Sequence, residues 1–151
     1  MKLTLALLLL AAAPPKKGPK PSEMAHLYFL AGDLPHAVES AKKCNELEGG
    51  KCKAMFKALA EYQFLASRAE RLTPAEAKQF IAYDREISKT VPAKLTERVI
   101  ARYVTEPLDL ANRAAAAGDR EQALGLAKAV LDVDPTNADA RAMLGLPDAG
   151  R

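Results

Sequence analysis

The chain has 151 residues, enough for one domain of ordinary size and too few for two of typical length. Apolar residues make up 49% and charged residues 27%, a globular balance, yet aromatics are only 5% and tryptophan is absent, so Ala and Leu carry the apolar share. A net charge of +3 gives no electrostatic footprint for nucleic acid, and two cysteines exclude a disulfide-dense miniprotein and a four-cysteine zinc site.

Met1 and Lys2 precede an eleven-residue apolar run, Leu3–Ala13, the pattern of a secretory signal peptide. As a helix it would rise about 16 Å, against roughly 30 Å of hydrocarbon core, so it is not expected to span a membrane. Cleavage is expected after Ala12 or Ala13, which leaves no stable membrane anchor. Residues 14–21 are rich in proline and lysine and predict an extended tether, with Lys16, Lys17 and Lys20 as spacer charge. The folded domain is expected to occupy 22–151.

From Ser22 onward the pattern is helix and turn, and no run alternates apolar with polar residues as a strand does. Ser22 is expected to cap a first helix through Leu30. Gly32 ends it, and Asp33 caps a second with Pro35 in its first turn, running to about Cys44. Glu48-Gly49-Gly50 breaks the chain before a third helix near Lys51. Its residues Met55, Phe56, Leu59, Tyr62 and Ala66 recur at helical spacing on one face. Thr73-Pro74-Ala75-Glu76 is a capping box for a fourth helix with Phe80, Ile81, Tyr83 and Ile87. Pro92 opens a fifth segment with Leu95, Val99 and Ile100. Pro107 either starts a new helix or sits in one long, kinked helix, and the long version is preferred. Asp119 with Gln122 caps the next helix, Asp134-Pro135 ends it, and a short last helix runs from Asn137 to Leu144.

One repeat is visible. Residues 30–44 align with 116–130 through Ala31/Ala117, Gly32/Gly118, Asp33/Asp119, Ala37/Ala123, Ala41/Ala127 and Lys42/Lys128, an offset of 86. Gly118-Asp119, Ala123, Leu124, Val130, Leu131, Asp134-Pro135-Thr136-Asn137-Ala138 and Leu144-Gly145 resemble a tetratricopeptide repeat, of the extracytoplasmic bacterial type. Leu110-Ala111 and Leu144-Gly145 lie 34 residues apart at the family's Leu-Gly position, while Pro107 and Arg141 stand where it places a bulky aromatic. The resemblance covers about 105–145 well and 22–44 fairly; 45–104 match only as helix pairs. It implies an all-α fold of stacked antiparallel helical hairpins, a tetratricopeptide-like α-solenoid or short right-handed superhelix. The physical reason for stacking is that one hairpin cannot bury its own apolar face.

Cys44 closes one expected helix and Cys52 opens the next, so the two can face each other across a hairpin turn. In an oxidising compartment a disulfide is the expected state; two free thiols or a redox-active pair are the rival readings. A metal site would have only His36 as a nearby added ligand.

The sequence contains no Gly-rich phosphate loop, no His-Glu-x-x-His and no Gly-x-Ser-x-Gly, so neither a catalytic residue nor a cofactor or metal ligand is assigned. His26 and His36 read as surface or packing residues, Glu46 and Glu48 as solvated loop charges, and Arg98 and Arg102 as partners of Glu97 and Glu106 in helix ion pairs. The resemblance implies a binding groove lined by the first helix of each pair, which points to His26, Leu108, Asn112 and Ala115. Asn112 matches one position of the family's peptide-carboxylate clamp, but Leu108 replaces the accompanying lysine, so that clamp is not expected. The expected function is a secreted or periplasmic, non-catalytic module that binds another protein or peptide. The alternative is a helical small-ligand or lipid binder of the cell envelope.

Overall fold

A computed structural model describes residues 18–88 and 92–147. The expected signal peptide, residues 14–17 of the tether and residues 148–151 lie outside the described residues. Among the described residues every regular element is helical and none is a strand.

Helix α1 (Pro21–Leu30) starts one residue before the expected cap. Pro21 is its first residue, where a fixed φ and a missing N–H cost nothing. Ser22 therefore falls inside the first turn, and the Glu23 carboxylate reaches back to the Lys20 N–H at 3.2 Å. Helix α2 (Leu34–Leu47) is capped by Asp33, whose side chain accepts from the His36 N–H, and it runs three residues past Cys44. Between the two helices the Gly32 N–H reaches Phe29 O at 3.0 Å and the Asp33 N–H reaches Tyr28 O at 2.9 Å. This Schellman closure requires the positive φ of +81° that Gly32 supplies.

Helix α3 (Lys53–Ala66) begins after Cys52 and ends in a short 3-10 turn, Ala69–Arg71, that the sequence pattern did not announce. Helix α4 (Pro74–Ser88) opens with the expected capping box: the Glu76 N–H donates to Thr73 Oγ1 at 3.3 Å, and the Thr73 N–H donates to Glu76 Oε2 at 2.8 Å. Hydrogen bonds from the Thr73 backbone and hydroxyl, with the nearby Arg68 guanidinium, hold the Glu76 carboxyl below its ordinary range.

Helix α5 (Lys94–Ile100), a π-helical turn (Ala101–Thr105) and helix α6 (Glu106–Ala116) follow one another with helical backbone at both junctions. The continuous alternative for Pro107 is thus the one observed. The wider turn lies immediately before Pro107, where a regular helix would drive the proline ring into the carbonyl four residues back. Arg102 bonds Glu70 O at 2.7 Å and Glu70 Oε2 at 3.3 Å, tying this rod to the 3-10 turn; the expected pairing with Glu106 is not formed. The Tyr103 hydroxyl donates to the Leu72 carbonyl.

Helix α7 (Arg120–Val133) is capped by Asp119, as expected, and helix α8 (Ala138–Met143) by Asn137, which was expected as its first residue. Helix α1 packs on α2, α2 on α3 and α3 on α4; α4 then meets α1, α5 and α7, while α7 packs on α6 and α8. At the centre lie three buried rings from α1, α3 and α4. Phe29 meets Tyr62 edge-on at 4.9 Å between centroids, and Tyr62 stacks on Phe80 at 4.1 Å. Small buried residues on α2 and α7 (Ala37, Ala41, Ala123 and Ala127) let neighbouring helices approach closely.

Candidate functional site

An open groove of about 780 Å³ runs between α1, the start of α3 and the end of α4. Ser22, Glu23, His26 and Leu27 form one face of α1 by helical spacing, and all four line it. The adjoining positions Ala25 and Phe29 are buried in the core. Leu27 is 56% exposed, and with Met55 and Ile87 it makes the apolar part of the groove.

His26 joins two walls. Its Nδ1 lies 3.2 Å from the carbonyl of Ile87, 61 residues away in sequence. A carbonyl only accepts, so Nδ1 carries the hydrogen, and Nε2 of the neutral ring is an acceptor. Ile87 is in the last turn of α4, where carbonyls have lost their intrahelical donors. His26 supplies one of them, and α1 is thereby held against the end of α4.

The third wall is fixed by covalent chemistry. Cys44 and Cys52 form a disulfide with their Cα atoms 5.8 Å apart, and both are buried. Of the alternatives open in sequence, the bridged one is the state of this structure. Closing so short a loop contributes on the order of 2.5 kcal/mol on the chain-entropy relation. Cys52 occupies the cap position of α3, directly between the groove residues Lys51 and Ala54. The staple therefore sets where that wall begins.

A buried polar network adjoins the groove's α4 wall and was missed in the sequence pattern. Asp84 is 1% exposed. Its Oδ2 accepts from Thr96 Oγ1 at 2.6 Å and from the Ala93 N–H at 2.9 Å, and its Oδ1 accepts from Ser88 Oγ at 2.8 Å. Thr96 Oγ1 spends its only proton on Asp84, so the Tyr62 hydroxyl donates to it, at 2.8 Å. One carboxylate thus gathers the start of α5 onto α4. Burial pushes the Tyr62 phenol up to about 12, with the Thr96 hydrogen bond opposing and the Asp84 charge adding. The only signal in sequence was Asp84 and Ser88, spaced i, i+4 among Phe80, Ile81 and Ile87. With three donors converging on one buried carboxylate, its geometry is that of a structural clasp.

The four residues proposed for a first-helix groove are not brought together. His26 lines the α1–α3–α4 groove, and no α6 residue does. Leu108 is half-buried against the core, while Asn112 and Ala115 are exposed on α6. His36 stays at the surface, where its Nδ1 meets Asp33 Oδ2 at 2.7 Å and its ring lies 5.3 Å from that of Tyr28. A second, smaller cavity of about 210 Å³ is bounded by Phe29, Leu34, Tyr62 and Leu95. Among the described residues no group of three or more His, Cys, Asp or Glu could hold a metal ion, and no helix is long and apolar enough to cross a membrane.

Comparison with protein-family models, curated proteins and solved structures yields no match.

Proposed function

We propose that the chain is a tetratricopeptide-like, non-catalytic binding module, periplasmic or secreted, that takes a segment of another protein in the α1–α3–α4 groove. The observation that carries this reading is the groove itself: about 780 Å³, with Leu27 exposed in its wall. Two of its walls are joined by the His26–Ile87 hydrogen bond, and a disulfide fixes the start of the third. A preformed apolar groove between helices is a standard way to seat a short helix or extended segment. The matched hairpins α1–α2 and α6–α7 support the repeat-like stacking. The disulfide supports residence in an oxidising compartment.

The alternative, a small-ligand or lipid binder, would use the same groove between helices, whose volume of about 780 Å³ also suits a small molecule. The groove is open to solvent, where small-molecule sites bury most of their ligand, so a segment of another protein is preferred.

The test is selection from a random-peptide display library on the oxidised full chain, with each enriched peptide remeasured on Leu27→Glu. The expected result is a family of peptides that loses at least about tenfold in affinity on the variant, as for removal of a buried apolar anchor. No enrichment, or binding indifferent to Leu27→Glu, would overturn the proposal. A hydrophobic species retained through native mass spectrometry would instead favour the ligand-binding alternative.

A further inference from the structure

We infer that the segment seated in the α1–α3–α4 groove is basic, pairing apolar side chains with lysine or arginine. The inference rests on the groove reading above and adds the chemistry of the partner. Among the described residues the groove has two carboxylates, Glu23 and Glu86, against one ammonium, Lys51. Glu86 is exposed and forms no ion pair among the described residues. Glu23 spends one oxygen on the Lys20 N–H and keeps the other. Lys20 precedes α1 and does not line the groove.

Among its described residues the groove wall therefore carries more acidic than basic side chains, on a chain whose overall charge is +3. A local field opposite in sign to that of the whole molecule selects a partner by complementarity at the site. Each exposed ion pair contributes between about 1.5- and 5-fold in affinity, so two cations set against Glu23 and Glu86 produce a readable preference.

The experiment uses the peptides enriched on the oxidised full chain, each remade with its lysines and arginines changed to glutamine and measured on wild type and on Glu86→Lys. Glu86 is exposed near the end of α4, where a lysine suits the helix dipole, so the variant is expected to fold. The expected result is enriched peptides of net positive charge that weaken severalfold on glutamine replacement and about tenfold on Glu86→Lys, with affinity falling as salt rises. Neutral or acidic peptides that need Leu27 yet ignore Glu86→Lys would overturn the inference and leave the groove reading standing. Absence of any peptide that depends on Leu27 would remove both.

Discussion

The two matched hairpins, α1–α2 and α6–α7, share their local chemistry and differ in what they face. Gly32 and Gly118 have φ of +81° and +82°. The Asp33 N–H bonds Tyr28 O at 2.9 Å, and the Asp119 N–H bonds Ala114 O at 2.9 Å. Ala25 and Ala111, Ala37 and Ala123, and Ala41 and Ala127 are all buried. Beyond the turn the two part company. Phe29 enters the aromatic core, while Ala115 at the equivalent position is exposed. Cys44 is stapled to Cys52, and Val130 is held by apolar packing alone. His26 clamps α4 and lines a groove, while Asn112 at the same position of the second hairpin is exposed. A helical-repeat turn is thus a local device, and the surroundings decide whether a hairpin builds a site.

The largest expected break in this comparison comes from the ring. Phe29→Ala should cost about 3–5 kcal/mol in denaturant unfolding, whereas Ala115→Ser should stay within about 0.5 kcal/mol. Equal effects would show that the hairpins have the same tertiary role. Next is the clasp between α4 and α5. Asp84→Ala leaves the Thr96 hydroxyl and the Ala93 N–H without their carboxylate acceptor, while the Ser88 hydroxyl keeps the residue-84 carbonyl, at a cost of about 3 kcal/mol. The same network has a signature in alkali. The Tyr62 phenol lies at about 12 in the folded chain against 10.0 ordinarily, so its protonated form is favoured by folding. That stability is present below pH 10 and is lost as pH rises toward 12. Tyr62→Phe should flatten the decline in that window, and an unchanged alkaline unfolding curve would refute the assignment.

Reduction of the disulfide by a dithiol should lower stability by about 2.5 kcal/mol and raise amide exchange in the α2–α3 loop and the first turn of α3. The α6–α7 hairpin, which has no such staple, should not respond. The smallest effects sharpen the likeness. In a His36→Ala background, which removes the additional Asp33–His36 contact, Asp33→Ala should cost about 1 kcal/mol, as should Asp119→Ala, because both remove one side-chain cap from the same turn. A difference of more than about 0.5 kcal/mol would mean the turns are not equivalent.

Much of this architecture was legible in the sequence because its signals are local. Gly-Asp turns and the Thr73–Glu76 box act over three or four residues, and they stand where the spacing put them. The bridging of Cys44 and Cys52 followed from their placement on either side of one turn. What was not legible depends on contacts between distant segments. His26 was noted, but its partner is a carbonyl 61 residues away, which no motif encodes. Tyr62 read as an apolar-face residue, and its hydroxyl reaches Thr96, 34 residues on. The groove was assigned to the first helices of the pairs, through His26 on α1 and Leu108, Asn112 and Ala115 on α6, because the family resemblance places it there. In the structure the partly apolar groove is assembled from α1, α3 and α4.

The most direct test is hydrogen exchange on the oxidised full chain with and without the tightest selected peptide. The account predicts protection confined to α1, residues 51–56 and the end of α4, with α6 unchanged. Protection centred on α6 around Asn112 and Ala115, with α1 unaffected, would contradict it.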